Sequence, residues 1–140
     1  MNYQLVATMA AGLESVTTKE LKALGIQTRT ENGKVYFEGN DQTIALTNVW
    51  LRSADRIKIV IGQFKARTFD DLFEGVKALP WDHFLPLDAA FPVAGRAVRS
   101  QLHSEPDVQA ITKKAIVEKM SAVYHRTTRL PETGATYPLE

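Results

Sequence analysis

Asn32-Gly33 constrains the fold more than any other short stretch of the 140-residue chain. Both residues accept positive φ, so the pair predicts a two-residue hairpin with a type I′ turn between Ile26 to Glu31 and Lys34 to Glu38. In the second run Val35 and Phe37 alternate with Lys34, Tyr36 and Glu38, which turns one face toward a core. Tyr3 to Thr8 reads as a preceding strand. Gly12-Leu13-Glu14 opens a helix with Leu13, Val16, Leu21 and Leu24 at helical spacing and Gly25 at C′. After the hairpin, Gly39-Asn40-Asp41 turns into a helix through Ile44, Ala45, Val49 and Leu51. Arg56 to Phe64 alternates again, with Ile57, Ile59 and Ile61 on one side. The order β-α-β-β-α-β is the ferredoxin-like pattern, two helices over one face of a four-stranded antiparallel sheet. Residues 1–64 fill that unit, and the fold class is α+β. Such a fold hosts many activities and decides none.

Residues 65–140 form a second domain. Thr68-Phe69-Asp70-Asp71 starts a helix in the manner of a capping box, with acids where the helix dipole favours them. Leu72, Phe73, Val76 and Leu79 follow, and Pro80 ends it. Trp81 to Pro86 predicts a short helical turn whose aromatics plug the helix onto a sheet. Phe91 to Val98 reads as a strand. Ser104 then caps the longest helix, its hydroxyl reciprocating with Asp107, and Pro106 sits in the first turn where its missing N–H is not needed. Thr133 to Leu139 begins another strand. Helix, strand, helix and one partial strand cannot close a sheet, so this second domain is expected to be incomplete at its C-terminus.

The overall charge of +1 argues for no polyanion partner, but the distribution does. From Phe91 to Arg129 seven Lys/Arg stand against three Asp/Glu, a local +4, whereas residues 1–90 sum to −1. There are no cysteines, which removes disulfides, thiol catalysis and cysteine-ligated metals. No apolar run can span a bilayer and no secretory signal opens the chain, so the expected location is cytoplasmic. Leu130-Pro131-Glu132-Thr133-Gly134 matches a sorting motif by letter only, because no export signal, apolar segment or basic tail accompanies it.

Trp50-Leu51-Arg52-Ser53-Ala54-Asp55-Arg56-Ile57, Thr68-Phe69-Asp70-Asp71-Leu72-Phe73, Leu79-Pro80-Trp81, Pro106-Asp107-Val108-Gln109-Ala110, Lys113-Lys114-Ala115-Ile116-Val117 and Pro131-Glu132-Thr133-Gly134-Ala135 follow in an order and spacing that carry a resemblance. The chain resembles the N-terminal part of bacterial THUMP-domain RNA methyltransferases, a group whose members methylate guanine N2 in large-subunit ribosomal RNA. The resemblance implies a ferredoxin-like domain followed by a THUMP domain, truncated here, that binds structured, ribosomal RNA, with neither DNA nor membrane as partner. It also implies a Rossmann-type catalytic domain using S-adenosylmethionine. The chain contains neither the glycine-rich cofactor loop nor the Asn-Pro-Pro-Tyr motif of that domain. No catalytic residue, cofactor site or metal site is therefore assigned within it, and the fragment is not itself expected to be an enzyme.

Lys and Arg neutralise phosphates and release counterions. The RNA-binding set is Arg96, Arg99, His103, Lys113 and Lys114. Helical geometry places Val108, Ile111, Ala115 and Ala122 on one face, with Lys113 and Lys114 turned away from it and Lys119 projecting into it. Arg96 and Arg99 act together only if the strand ends near Val98. His103 stands beside the helix N-terminus, where a phosphate can be met. Aromatics are not interleaved with these charges, so readout by shape and phosphate is expected. The bland alternative for the set is a solvated helix face with routine salt bridges. The rival readings of the whole chain are a small-molecule-binding or dimerising ferredoxin-like module, and a structural spacer.

Overall fold

The computed structural model describes residues 2–97, 100–126 and 129–140, in two compact units, residues 1–61 and 62–140. In the first unit β1 (Tyr3–Thr8), α1 (Glu14–Ala23), β2 (Arg29–Glu31), β3 (Lys34–Gly39), α2 (Asp41–Trp50) and β4 (Arg56–Val60) follow in sequence. The sheet order is β2-β3-β1-β4, antiparallel throughout, which is the ferredoxin-like arrangement expected from the pattern. Leu5 faces Phe37 on one side and Ile59 on the other. Leu5, Ala7, Leu21, Val35 and Phe37 form the buried core, with Ile26, Ile44, Leu51 and Ile57 packed around it. Each fully buried large side chain contributes about 1.5–3 kcal/mol.

Local chemistry sets the ends of these elements. Gly25 (φ 78°) donates its N–H to Lys22 O at 2.9 Å and Ile26 donates to Leu21 O at 3.0 Å, a Schellman close that also turns Ile26 into the core. Asn40 and Thr43 form a reciprocal capping box at α2. The Glu14 carboxylate accepts from Gly12 N and Gly33 N, both at 2.8 Å, and its own backbone N–H first, and then these two, hold it below the usual carboxylate range.

Four expectations change. Only Gly33 of the hairpin dipeptide has positive φ, so the turn is not type I′. The Gly33 N–H is bonded to Glu14, so a tertiary contact takes part in setting the turn. The strand pairing of β2 begins at Arg29, because Ile26 is spent on closing α1. In β4 the pairing stops at Val60, and Ile59 is exposed because it lies on an edge strand. In α2 the inward stripe is Ile44, Thr47 and Leu51, at i, i+3 and i+7, rather than one containing Ala45 and Val49. The buried Thr47 hydroxyl is satisfied by Thr43 O (2.9 Å) and Ile44 O (3.1 Å), which lets a polar residue take that position.

The second unit contains α3 (Phe69–Lys77), a 3₁₀ turn (Trp81–His83) and α4 (Glu105–Val123). Thr68 caps α3 through Asp71 N, while the Asp71 carboxylate reaches Arg67 N. The expected plug exists: Trp81 is buried and donates Nε1–H to Val76 O at 2.7 Å. It packs in the turn that meets α4, and α3 also packs on α4. The strand expected over Phe91 to Val98 is reduced to bridges at Ala90 and Val93, which pair in parallel with Thr136 and Leu139. Val98 lies outside the described residues. Four backbone bonds zip segments 90–94 and 135–139 together: Ala90 N to Ala135 O, Tyr137 N to Ala90 O, Leu139 N to Pro92 O, and Ala94 N to Leu139 O. Pro92 serves only as an acceptor there, so its missing N–H costs the ladder nothing.

Candidate nucleic-acid interface

Of the five residues proposed from sequence, the four that the structure describes fall into different environments. Burial along α4 is greatest at Ala115, Ile116 and Met120, and Asp107, Ala110, Lys114, Glu118 and Ala122 form the solvent stripe. Ala122 shares the azimuth of Ala115, seven residues on, but it is exposed rather than packed.

Lys113 sits at i−3 and i−7 from Ile116 and Met120, on the inward stripe. Its ammonium is not turned away from the fold as expected. It donates to Phe91 O at 3.0 Å, forms an ion pair with Glu132 and lies 3.7 Å from the Phe91 ring centroid. Glu132 holds a left-handed backbone conformation (φ 46°) while making that contact. Lys113 thus latches the 129–134 loop and segment 90–94 onto α4. Lys114, one position further on, is exposed and meets the expectation of an outward cation. Lys119 is half-buried.

Arg96 is exposed and pairs loosely with Glu140, Nε to Oε1 at 3.6 Å. Arg99 lies outside the described residues, and with it the question of a shared ligand with Arg96. His103 is exposed, with Nδ1 3.3 Å from Gln101 O. The capping pair expected at Ser104 is not formed. Ser104 makes no side-chain cap bond, and it is Glu105 whose carboxylate reaches back, accepting from Ala97 N at 3.1 Å. At 1.5 Å per residue, Ser104 and Lys114 stand about 15 Å apart along the helix. His103, next to Ser104, and Lys114 therefore stand well apart rather than at a single point.

The first unit carries a feature that sequence reading missed. Trp50 is 60% exposed and Val49 77% exposed at the C-terminal end of α2. Leu51 is extended (φ −75°, ψ 128°) and packs on the core, so Trp50 and Arg52 flank an inward residue. The loop is held firmly. Glu20 accepts from Arg52 N (2.8 Å) and Ser53 N (3.2 Å), and the Ser53 and Thr17 hydroxyls are 2.7 Å apart. The Ser53 hydroxyl bond first, and then these backbone bonds, hold the Glu20 carboxyl below its usual range. The sequence signal was the apolar set Leu46, Val49 and Trp50, on the side of the helix opposite Ile44, Thr47 and Leu51. The open sheet face offers no comparable aromatic: Tyr36 is buried, with the Arg29 guanidinium 4.5 Å over its ring. An open groove of about 710 Å³ runs past Ile26, Arg29, Phe37, Thr43 and Leu46. Among the described residues no cluster of three or more His, Cys, Asp or Glu could hold a metal ion, and no helix is long and apolar enough to cross a membrane.

Residues 4–58 match the RlmL ferredoxin-like domain and residues 66–131 match the THUMP domain. The curated protein named "Putative RNA methyltransferase YpsC", from Bacillus subtilis (strain 168), is 48% identical over 139 residues, covering 99% of this chain and 36% of that protein. A solved structure described as "a predicted N6-adenine-specific DNA methylase" from Listeria monocytogenes str. 4b F2365 superposes with a TM-score of 0.95 at 59% identity, covering 99% of this chain and 36% of that one. "SMU.472, a putative methyltransferase complexed with SAH" gives 0.94 at 55% identity, covering 98% and 37%. TrmN from Thermus thermophilus, at 20% identity and a TM-score of 0.63 over 98% of this chain and 39% of that one, shares the fold. The chain spans little more than a third of the length of these proteins.

Proposed function

We propose that this chain, which belongs to the family joining an RlmL-type ferredoxin-like domain to a THUMP domain, is the part of an RNA methyltransferase that grips structured RNA. The match of residues 66–131 to the THUMP domain carries the reading, together with the outward cations of the second unit. In this reading the contacts come from Arg96, Arg99, His103 and Lys114, through phosphates and helical shape. Lys113 supports the surface from within by anchoring the 129–134 loop. The grip presents one base, in our reading a guanine N2 of large-subunit ribosomal RNA, to a catalytic portion of the cytoplasmic enzyme. The relative bound to SAH supports S-adenosylmethionine as the methyl source. This chain has no glycine-rich cofactor loop or Asn-Pro-Pro-Tyr motif, so none of its residues is assigned to the cofactor or to methyl transfer.

The test is binding to a folded ribosomal RNA fragment across a salt series, with duplex DNA as competitor. Lys114→Glu should weaken binding and reduce the salt slope by about one, while leaving the melting curve unchanged. Equal affinity for wild type and Lys114→Glu removes α4 from the interface. Preference for the DNA duplex refutes the RNA reading. The rival small-molecule reading rests on the groove beside Thr43 and Leu46. A ligand-induced thermal shift without RNA affinity would favour it.

A further inference from the structure

The sheet of the first unit has a face that neither of its helices covers. Leu5, Ala7, Val35 and Ile57 point to the helix side, where they pack with Leu21 and Ile44. Alternation along each strand turns their neighbours to the opposite side. Two contacts fix the same assignment for β2. The Thr30 hydroxyl lies 3.2 Å from the Thr18 hydroxyl of α1, and the Arg29 guanidinium lies over the Tyr36 ring. Register then sets Lys34, Thr8 and Arg56 side by side in one cross-strand row, and Arg29, Tyr36, Val6 and Lys58 in the next. Charge sorts by face. Residues 1–61 carry seven Lys/Arg and six Asp/Glu. On the uncovered face Arg29, Lys34, Arg56 and Lys58 stand against Glu31 and Glu38, a local +2, while the three cations and four acids elsewhere sum to −1. Both acids of the face are engaged: Glu31 pairs with Arg29 at 2.7 Å, and Glu38 accepts from Gln4 Nε2 at 2.5 Å. Lys34 and Arg56 are exposed, and neither has an ion-pair partner among the described residues. Their Cα atoms stand two strand spacings apart, about 10 Å.

We propose that this face is a second RNA surface, on which Lys34 and Arg56, with the Thr8 hydroxyl between them, take phosphates of a double-helical RNA segment. The proposal rests on the reading that the chain binds RNA and adds a site in the first unit. Unpaired cations on an open face release counterions when phosphates replace them, and a threonine hydroxyl can donate to a phosphate oxygen. The absence of exposed apolar surface decides against a protein partner. A protein interface has an apolar centre depleted of charge. Here none of the large apolar side chains that the described first unit exposes lies on the face, and Val6 and Tyr36 at its middle are buried. Burial of Tyr36 also decides between double helix and single strand. It is the one aromatic on this face, and Arg29 roofs its ring, so no base can stack there. A double helix offers its phosphates without unstacking a base.

The 140-residue chain is titrated with the folded ribosomal RNA fragment, with an RNA duplex and oligouridylate as competitors. Lys34→Gln combined with Arg56→Gln should weaken binding and lower the salt slope by about two. The ratio of wild-type to variant affinity should then narrow about fifteenfold between 50 and 200 mM salt. Lys19→Gln combined with Lys22→Gln removes the same charge from exposed positions of α1, on the other side of the sheet, and should leave the slope unchanged. Both double variants should melt with wild type, and the duplex should compete more strongly than oligouridylate. Equal slopes for wild type and the Lys34/Arg56 variant overturn the face. An equal loss from the Lys19/Lys22 variant overturns it too, because the effect is then one of overall charge. Stronger competition by oligouridylate overturns the double-helical occupant. Loss of binding by Lys114→Glu without loss by the Lys34/Arg56 variant removes this face and leaves the RNA reading standing, whereas a wild type that binds no RNA removes both. Self-association that the Lys34/Arg56 variant abolishes, with RNA binding unchanged, overturns the proposal in favour of a second copy of the chain.

Discussion

Replacing Lys113 with Met should destabilise the second unit by about 2 kcal/mol, although a charge-only view of α4 makes the residue expendable. Met keeps much of the buried stem and removes only the ammonium. That ammonium makes three contacts. The bond to Phe91 O, from a charged donor, is worth about 1.5–3 kcal/mol. The pair with Glu132, whose side chains are 34% and 26% exposed, contributes about 0.2–1 kcal/mol after solvent screening. The approach to the Phe91 ring contributes about 0.5–1 kcal/mol at such a site. One charge serves all three, so the contributions overlap and the net is nearer the middle of the range than the sum. For a unit of this size that lowers Tm by about 10 °C. Trp81 fluorescence gives a local reporter of the second unit during urea or thermal unfolding. Lys114→Met is the matched control and should stay within about 0.5 kcal/mol of wild type. A cycle with Glu132→Gln should return a coupling of about 0.5–1 kcal/mol. If Lys113→Met and Lys114→Met melt together, the latch is not a stabilising contact and the division of labour between the two lysines collapses.

Acid sensitivity should track Glu14 and Glu20. Both carboxyls are held below the ordinary value of 4.5, so their stabilisation is complete above that value and is lost as pH falls through the lower folded-state one. Glu20→Gln should lower stability at neutral pH and shrink the difference between pH 7 and pH 3, measured by urea midpoint; an unchanged pH dependence contradicts the assignment. His125 ends α4 in the left-handed region (φ 52°), with His125 N on Ala122 O and Arg126 N on Ser121 O, the same Schellman geometry that Gly25 gives α1. His125→Gly should therefore stabilise by about 1 kcal/mol in denaturant titrations, and a loss of stability would mean that the imidazole makes a contact worth more than the backbone strain.

The first unit was legible because its signals are local. Asn32-Gly33 brackets a hairpin, Gly25 stops a helix, and strand alternation marks the inward face. What failed there depended on neighbours that sequence does not supply. The turn type was settled by Glu14, from a helix 19 residues away in sequence. The two sides of α2 are both apolar, and only packing shows that Ile44 and Leu51 go in while Val49 and Trp50 stay out. In α4 a wheel centred on Val108, Ile111, Ala115 and Ala122 turns Lys113 outward, whereas the buried side runs through Ile116 and Met120 and takes Lys113 with it. A lysine on the stripe of Ile116 and Met120 can be placed inward when a carbonyl and a carboxylate wait for it. Ser104 has the sequence of a cap but makes no side-chain cap bond, and Glu105 instead ties α4 to Ala97 N, a contact with a distant backbone group that no local motif announces.

The parallel zip between segments 90–94 and 135–139 has a consequence for the order of folding. Its partners are 46 residues apart in sequence, and no shorter path brings them together. The strand pairs of the first unit are complete once Val60 has been made. The second unit must wait for Leu139, with α3 and the Trp81 turn forming early from local contacts and the zip last, after a long loop has closed. During synthesis the chain therefore passes through an interval in which the first unit is folded while Phe91 and its neighbours lack their pairing partners. Substitutions that slow closure, rather than those that weaken the finished fold, would be felt most in that interval.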